Sequence, residues 1–335
     1  MKIIFDMFGS DNGPEVLAQG IFAAMRREKG LEPVLAGDKE ILSPILDKFE
    51  WDKQDVARAR VEILDAKTVI ANEDSPTMAL KQKKDSSLVV AINALKERDD
   101  IHGMVSAGAT GAVLSGGVLL LGRLEGVLRP ALAPILPTAD GRGVCVVDAG
   151  ANMDCRPEYL VQFAKMGAAY MGSRGMESPR IGLLSVGVED KKGNELTKEV
   201  FSLLKESGLN FLGNMEARDA LSGKFDVLVC DGFVGNVLIK SVEGTAGLVV
   251  KMLKQSIMSS SSAKFGALFM KKAFERLRGG MDYHAGGGAP LLGVKKVLVK
   301  AHGSSNAVSA EAALLQAYNM IAARLPEKIL ANLAK

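Results

Sequence analysis

The stretch "FDVLVCDGFVGNVLIKSVEG", residues 225–244, passes from one apolar run through Asp231 and two closely spaced glycines into another. A short apolar run ended by Asp-Gly predicts a buried strand over 225–231. The residues after it carry a helical period and predict a helix over 236–254. Strand followed by helix is the unit of a parallel sheet. Gly232 and Gly235 are more glycine than a reversal of direction requires. Two explanations are open: the glycines permit helix–sheet packing, or they let backbone N–H groups approach an anion at a strand end.

The same handover recurs along the chain. Strands are expected at 2–6, 32–37, 60–66, 103–107, 143–150, 180–187, 225–231 and 295–303. Helices are expected at 14–28, 38–48, 86–98, 111–122, 157–173, 194–207, 236–254 and 305–324. Repeated strand–helix units give an α/β protein with a mostly parallel sheet covered on both faces. With 335 residues, 47% of them hydrophobic, the chain can form one large domain or two closely joined ones.

Composition narrows the function. A net charge of +3 and 5% aromatic residues argue against nucleic acid. Cys145, Cys155 and Cys230 form no CxxC pair, so neither zinc nor a redox motif is indicated, and a reducing cytoplasm is expected. The N-terminal apolar run is too short for a secretory signal, and no window reads as a spanning helix.

The strand ends carry the polar residues. "DMFGSDNGPE", "SAGATGA", "DAGANMDCRPE", "SVGVEDKKGNE", "DGFVGN" and "HGSSN" all follow expected strands. In open α/β sheets ligands bind beyond the carboxyl ends of the strands, so these loops are expected to converge on one cleft. No P-loop and no GxGxxG fingerprint is present. No GxSxG elbow and no metal-ligand spacing of His, Asp and Glu is found. Lys191 and Lys192 precede a helix and read either as a phosphate-binding charge or as a solvated turn. His302, Ser304 and Ser305 read as site donors, or the serines as helix caps. Cys230 reads as packing inside a strand.

In order along nearly the whole chain, "SAGATGA" (106–112), "RPALAPILPT" (129–138), "DAGANMDCRPEYLVQFAKMG" (148–167), "KGNELTKE" (192–199), "SGKFDVLVCDGFVGNVLIKSVEG" (222–244), "GGAPLLGV" (287–294) and "HGSS" (302–305) resemble the PlsX family. These are the bacterial acyl-ACP:phosphate acyltransferases of phospholipid synthesis. Two departures stand out: Ala109 replaces the family's usual asparagine, and residues 6–11 read D-M-F-G-S-D instead of D-A-M-G-G-D. The resemblance implies a three-layer α/β/α fold like that of isocitrate and isopropylmalate dehydrogenases. It implies one unit over 1–335, a homodimer, no nicotinamide and no other cofactor, a cytoplasmic location and peripheral attachment to an anionic membrane. It also implies acyl carrier protein and inorganic phosphate as substrates and a downstream glycerol-3-phosphate acyltransferase as partner.

On this resemblance Lys192 and Asn236 are expected at the reaction centre, with Asp231 orienting one of them. Ser106, Gly108, Thr110, Gly111, Gly232, Gly235, His302, Ser304 and Ser305 are expected to supply backbone or hydroxyl donors. A phosphotransacetylase working on acyl-CoA needs the same donors. A metal- and NAD-dependent dehydrogenase of the same fold needs an aspartate cluster that the sequence lacks, and a non-catalytic membrane scaffold is the remaining alternative. Residues 251–278 carry seven basic residues against Glu275 and several phenylalanines. They read either as a helix packed on the core or a dimer partner, or as a projecting amphipathic hairpin whose tip residues Phe265, Leu268 and Phe269 enter the membrane.

Overall fold

A computed structural model of the chain describes residues 1–49, 60–270, 272 and 287–334. Alternation sets the first sheet. On β1 (Lys2–Asp6), Ile3 and Phe5 enter one cluster of buried side chains while Ile4 enters another on the opposite face. β2 (Glu32–Gly37), β3 (Glu62–Asp65) and β4 (Ile101–Ser106) pair in parallel around it, and β12 (Val297–Ala301) adds in parallel to β4. β11 (Gly288–Leu292) and β5 (Ala131–Leu132) close this sheet antiparallel, in the order β3-β2-β1-β4-β12-β11-β5. A second sheet has the order β6-β7-β10-β8-β9, from Ile135–Leu136, Val144–Val147, Val227–Val229, Ile181–Leu184 and Phe211–Met215.

The fold is therefore α/β with mostly parallel pairing, but in two sheets. Pro134 separates β5, in the first sheet, from β6, in the second. One face of both sheets shares a single cluster of buried side chains, from Phe5 and Val105 to Val147 and Phe163. Helices α1 (Gly13–Arg27), α6 (Pro157–Ser173), α7 (Glu195–Glu206), α10 (Ala307–Ala322) and α11 (Leu325–Leu333) contribute to it. Gln316 Nε2 on α10 donates to the buried Tyr170 hydroxyl of α6 at 2.8 Å, joining the two halves. The opposite face of the first sheet is covered by α4 (Ser87–Glu97) and α5 (Thr110–Gly116), reached from α2 (Lys39–Asp47) through α3 (Pro76–Gln82).

The expected strand and helix are both present at residues 225–244, with shifted boundaries. The strand is only Val227–Val229, and α8 (Gly232–Met258) starts four residues before the expected point. The Asp231 carboxylate accepts the Val234 N–H at 2.8 Å, so the N-cap precedes both glycines and places them inside the first turns. By length and composition α8 is long and apolar enough to cross a membrane, contrary to the expectation that no window reads as a spanning helix. Its first turns are built into the protein, with Gly232, Gly235 and Ile239 buried. A turn at Ser259 and Ser260 leads to α9 (Ser261–Phe269). The rest of the expected hairpin, apart from Met270 and Lys272, lies outside the described residues.

Candidate active site

The carboxyl ends of strands from both sheets face a cleft of about 370 Å³. From the first sheet come Gly9, Gly108, Thr110, Lys300, His302 and Gly303, and from the second Ala149, Gly150 and Met153. Asn236, Ile239 and Lys240 of α8 form a side, and Leu132, Pro134 and Ile135 form an apolar wall. No carboxylate occurs among the described lining residues.

Close backbone approach shapes the floor. A Cβ on Gly9 would lie 2.2 Å from the Gly108 Cα, so the loops after β1 and β4 touch main chain to main chain. Ser106 is fully buried. Its hydroxyl donates to Asp6 Oδ2 at 2.7 Å and accepts the Gly108 N–H at 3.1 Å. It therefore positions the loop and has no donor left for substrate. Thr110 and Gly111 open α5, whose N-cap Ala109 makes no side-chain cap bond. Thr110 lines the cleft, while Pro76 covers Gly111.

The loop 148–152 is fixed by a buried carboxylate. Asp148 Oδ1 accepts N–H groups of Leu132 and Ala151 at 2.9 and 3.1 Å, and Oδ2 accepts Asn152 N–H and Nδ2–H at 2.6 and 2.9 Å. Burial pushes the Asp148 carboxyl up, and these hydrogen bonds oppose the shift. The two glycines of α8 serve this loop. A Cβ on Gly235 would lie 1.9 Å from the Asp148 carbonyl oxygen, and one on Gly232 2.6 Å from the Asn152 carbonyl oxygen. The Gly232 N–H donates to Asn152 O at 2.8 Å, and the Gly235 N–H to Asp231 O at 3.0 Å. The expectation that these amides meet phosphate is corrected: both are taken by the protein's own main chain. Asp231 caps the helix instead of orienting a site residue, and Asn236 reaches the cleft beside Gly150.

The 302–305 loop splits likewise. His302 lines the cleft, and its Nδ1 accepts the Ser304 N–H at 3.2 Å and lies 2.7 Å from Ser304 Oγ. Ser305 is buried and its hydroxyl donates to His302 O at 2.6 Å, which removes it as a substrate donor. The cap of α10 is Asn306, not either serine. Lys192 sits exposed in the loop after β8, outside the cleft lining. The expected site thus gathers Gly108, Thr110, Asn236 and His302, and leaves Lys192 apart.

The cleft's lysines are Lys300 and Lys240, which sequence reasoning did not single out. Lys300 is 9% exposed, and burial pushes its ammonium down to about 8 against the pull of Asp6. Asp6 is fully enclosed: burial raises its carboxyl, while bonds from Ser87, Ser106 and the Phe8 N–H and the charge of Lys300 oppose that. The available signal was a lysine inside the apolar run "VLVKA" just before "HGSS". Among the described residues, no group of His, Cys, Asp and Glu could hold a metal ion. The thiols of Cys145 and Cys155 are pushed up to about 12 by burial, and that of Cys230 is also raised.

Known proteins share this architecture. A phosphotransacetylase from Streptococcus pyogenes superposes with a TM-score of 0.61 at 16% identity, over 96% of this chain and 94% of that one. A 4-hydroxythreonine-4-phosphate dehydrogenase from Klebsiella pneumoniae gives 0.53 at 11% identity, over 96% and 99%. These likenesses establish the fold alone. In sequence, a phosphate acyltransferase from Clostridium acetobutylicum is 45% identical over 98% of this chain and 98% of its own length. One from Lysinibacillus sphaericus is 46% identical over 96% and 94%. The family described as "fatty acid synthesis protein" matches residues 1–328. With relatives this similar along nearly the whole length, the chain belongs to the PlsX family of fatty acid synthesis proteins.

Proposed function

We propose that this chain transfers a fatty acyl group from a thioester to inorganic phosphate, giving acyl phosphate, and that the thioester is carried by acyl carrier protein. The observation that carries this reading is the lining of the cleft. It joins lysines, a histidine, an asparagine and loop backbone to an apolar wall, with no carboxylate among the described lining residues. Such a lining favours an anion beside an acyl chain.

In the reaction, an oxygen of the phosphate dianion forms a bond to the thioester carbon. The C–S electron pair leaves with sulfur, and the proton carried by phosphate ends on the thiol. No acyl-enzyme is needed, which agrees with thiols held protonated by burial. Positioning and oxyanion stabilisation are the tasks left to the protein. Asn236 Nδ2 is assigned to the developing oxyanion, and the loops at Gly108 and His302 to the phosphate. Lys192, exposed and outside the cleft lining, is assigned to docking of the incoming carrier protein.

The remaining parts of the reading concern partners. The exposed apolar residues of α8, including Leu248, Val249 and Met252, support a homodimer through this helix. Phe265 and Phe269 are 64% and 79% exposed and stack edge to face at 5.3 Å, which supports shallow apolar contact with a membrane, read here as the anionic surface on the cytoplasmic side. Acyl phosphate would then pass to a glycerol-3-phosphate acyltransferase at that surface.

The test is thiol release from acyl carrier protein thioester with and without phosphate, with hydroxylamine trapping of the acyl phosphate. Phosphate-dependent release with trapped product is expected, and release faster than from acyl-CoA. Release that ignores phosphate would refute the reading, and preference for acyl-CoA would refute the carrier assignment.

A further inference from the structure

β1, β4 and β12 end in register: Asp6 pairs with Ser106, and Lys300 with Ser106. Alternation sends all three side chains to one face. Their neighbours Ile4, Met104 and Leu298 pack in the same buried cluster, while Phe5, Val105 and Val299 enter the opposite one. Three adjacent strands therefore place a carboxylate, a hydroxyl and an ammonium at one level, at the floor of the cleft.

The carboxylate is already occupied. Asp6 Oδ2 accepts from Ser106 Oγ, Oδ1 accepts the Phe8 N–H at 3.4 Å, and Ser87 adds a further hydrogen bond. The ammonium is only partly so. Lys300 Nζ donates to the Ala301 carbonyl and makes no direct ion pair among the described residues. Lysine has three donors, so a nearly buried ammonium keeps donors for a partner that must enter from the cleft. The nearby carboxylates Asp6 and Asp11 lie outside the cleft lining and form no direct ion pair with Lys300 among the described residues, so on its cleft side the cation calls for an anion.

We propose that Lys300 holds the attacking phosphate dianion at the floor of the cleft, with Asp6 and Ser106 positioning it through the strand ends. The proposal rests on the phosphate-acyltransferase reading and names the residue that meets the nucleophile. The charged and titratable groups facing Lys300 are Asp6 from β1, Asp11 from the loop after it, Lys240 from α8 and His302 from its own loop. Inorganic phosphate is already a dianion on the alkaline side of neutrality. Loss of affinity as pH rises through about 8 therefore reports Lys300 and not the ligand.

The experiment measures binding of inorganic phosphate by calorimetry, separately from thiol release. Lys300→Met should weaken phosphate binding about 100-fold, raise KM for phosphate by a similar factor and change kcat little. Wild-type affinity should fall as pH rises through about 8. Lys300→Arg should retain binding and lose that pH dependence, because arginine does not titrate there. Unchanged phosphate affinity in Lys300→Met overturns the proposal, as does a fall in kcat alone. If Lys300→Met does not fold, a wild-type affinity that is flat through this pH range overturns it equally. Phosphate binding without thiol release would remove the acyltransferase reading, and Lys300 would then be judged on binding alone. Wild-type protein that binds no phosphate overturns both.

Discussion

Gly235→Ala separates the two reasons for a glycine in "DGFVGN". An ideal Cβ there stands 1.9 Å from the Asp148 carbonyl oxygen and 3.0 Å from both the Asp148 carbonyl carbon and Cys230 Sγ. Ordinary carbon–oxygen contact needs roughly 3.3 Å, so helix and loop must part by more than about 1 Å. The carbonyl is main chain in a loop held by the four hydrogen bonds to Asp148, and it cannot swing aside. Overpacking of this kind costs about 3 kcal/mol or more at the severe end. Alanine returns about 1 kcal/mol of helix propensity, leaving a net loss of about 2 kcal/mol. Gly244 is the matched control: it lies in the same helix with nothing within 4 Å of its Cβ position. Gly244→Ala should gain about 0.5–1 kcal/mol. Urea unfolding followed by circular dichroism measures both. A Gly235→Ala protein that unfolds at or above the wild-type midpoint would refute the packing argument. If it also lost phosphate-dependent activity, it would restore the ligand-approach explanation.

Other expectations follow from single residues. Burial depresses Lys300 from 10.5 to about 8, so between those pH values the unfolded chain binds the extra proton and stability rises with pH. Lys300→Met should flatten that rise and, by removing a charge disfavoured by roughly 3 kcal/mol, should not lower stability at neutral pH. A marked drop in its urea midpoint at neutral pH would show that the ammonium supports the fold. Lys192→Ala should raise KM for the acyl carrier substrate about 10-fold with kcat and the urea midpoint little changed, as suits an exposed loop side chain outside the cleft; an unchanged KM would remove it from substrate docking. Cys145, Cys155 and Cys230 should each accept alanine with activity retained apart from packing losses, and ping-pong kinetics would contradict direct attack by phosphate. Phe265→Glu with Phe269→Glu should abolish binding to anionic vesicles while sparing soluble activity, and co-sedimentation of that variant would exclude the α9 tip as anchor.

Local pattern alone determined much of this protein. β1, β2 and α6 lie where periodicity and flanking residues put them, because each carries its own signal in a short window. The order of glycine-rich loops identified the family and the cleft's position at the strand ends. β9 and β11 were not legible: Gly213 at φ 108° and Pro290 weaken the local strand signal, and only neighbouring strands supply the pairing. The split into two sheets was equally hidden, since nothing in "LAPIL" says that Pro134 separates partners. The site was legible as loops but not as contacts. Gly232, Gly235, Ser106 and Ser305 have the residue types of ligand donors, yet the protein's own main chain and Asp6 occupy them. Lys300 reads as an ordinary lysine at a strand end. It faces the cleft because register brings β1, β4 and β12 to one level, and register is a property of pairing between strands about 100 residues or more apart, which no local window contains.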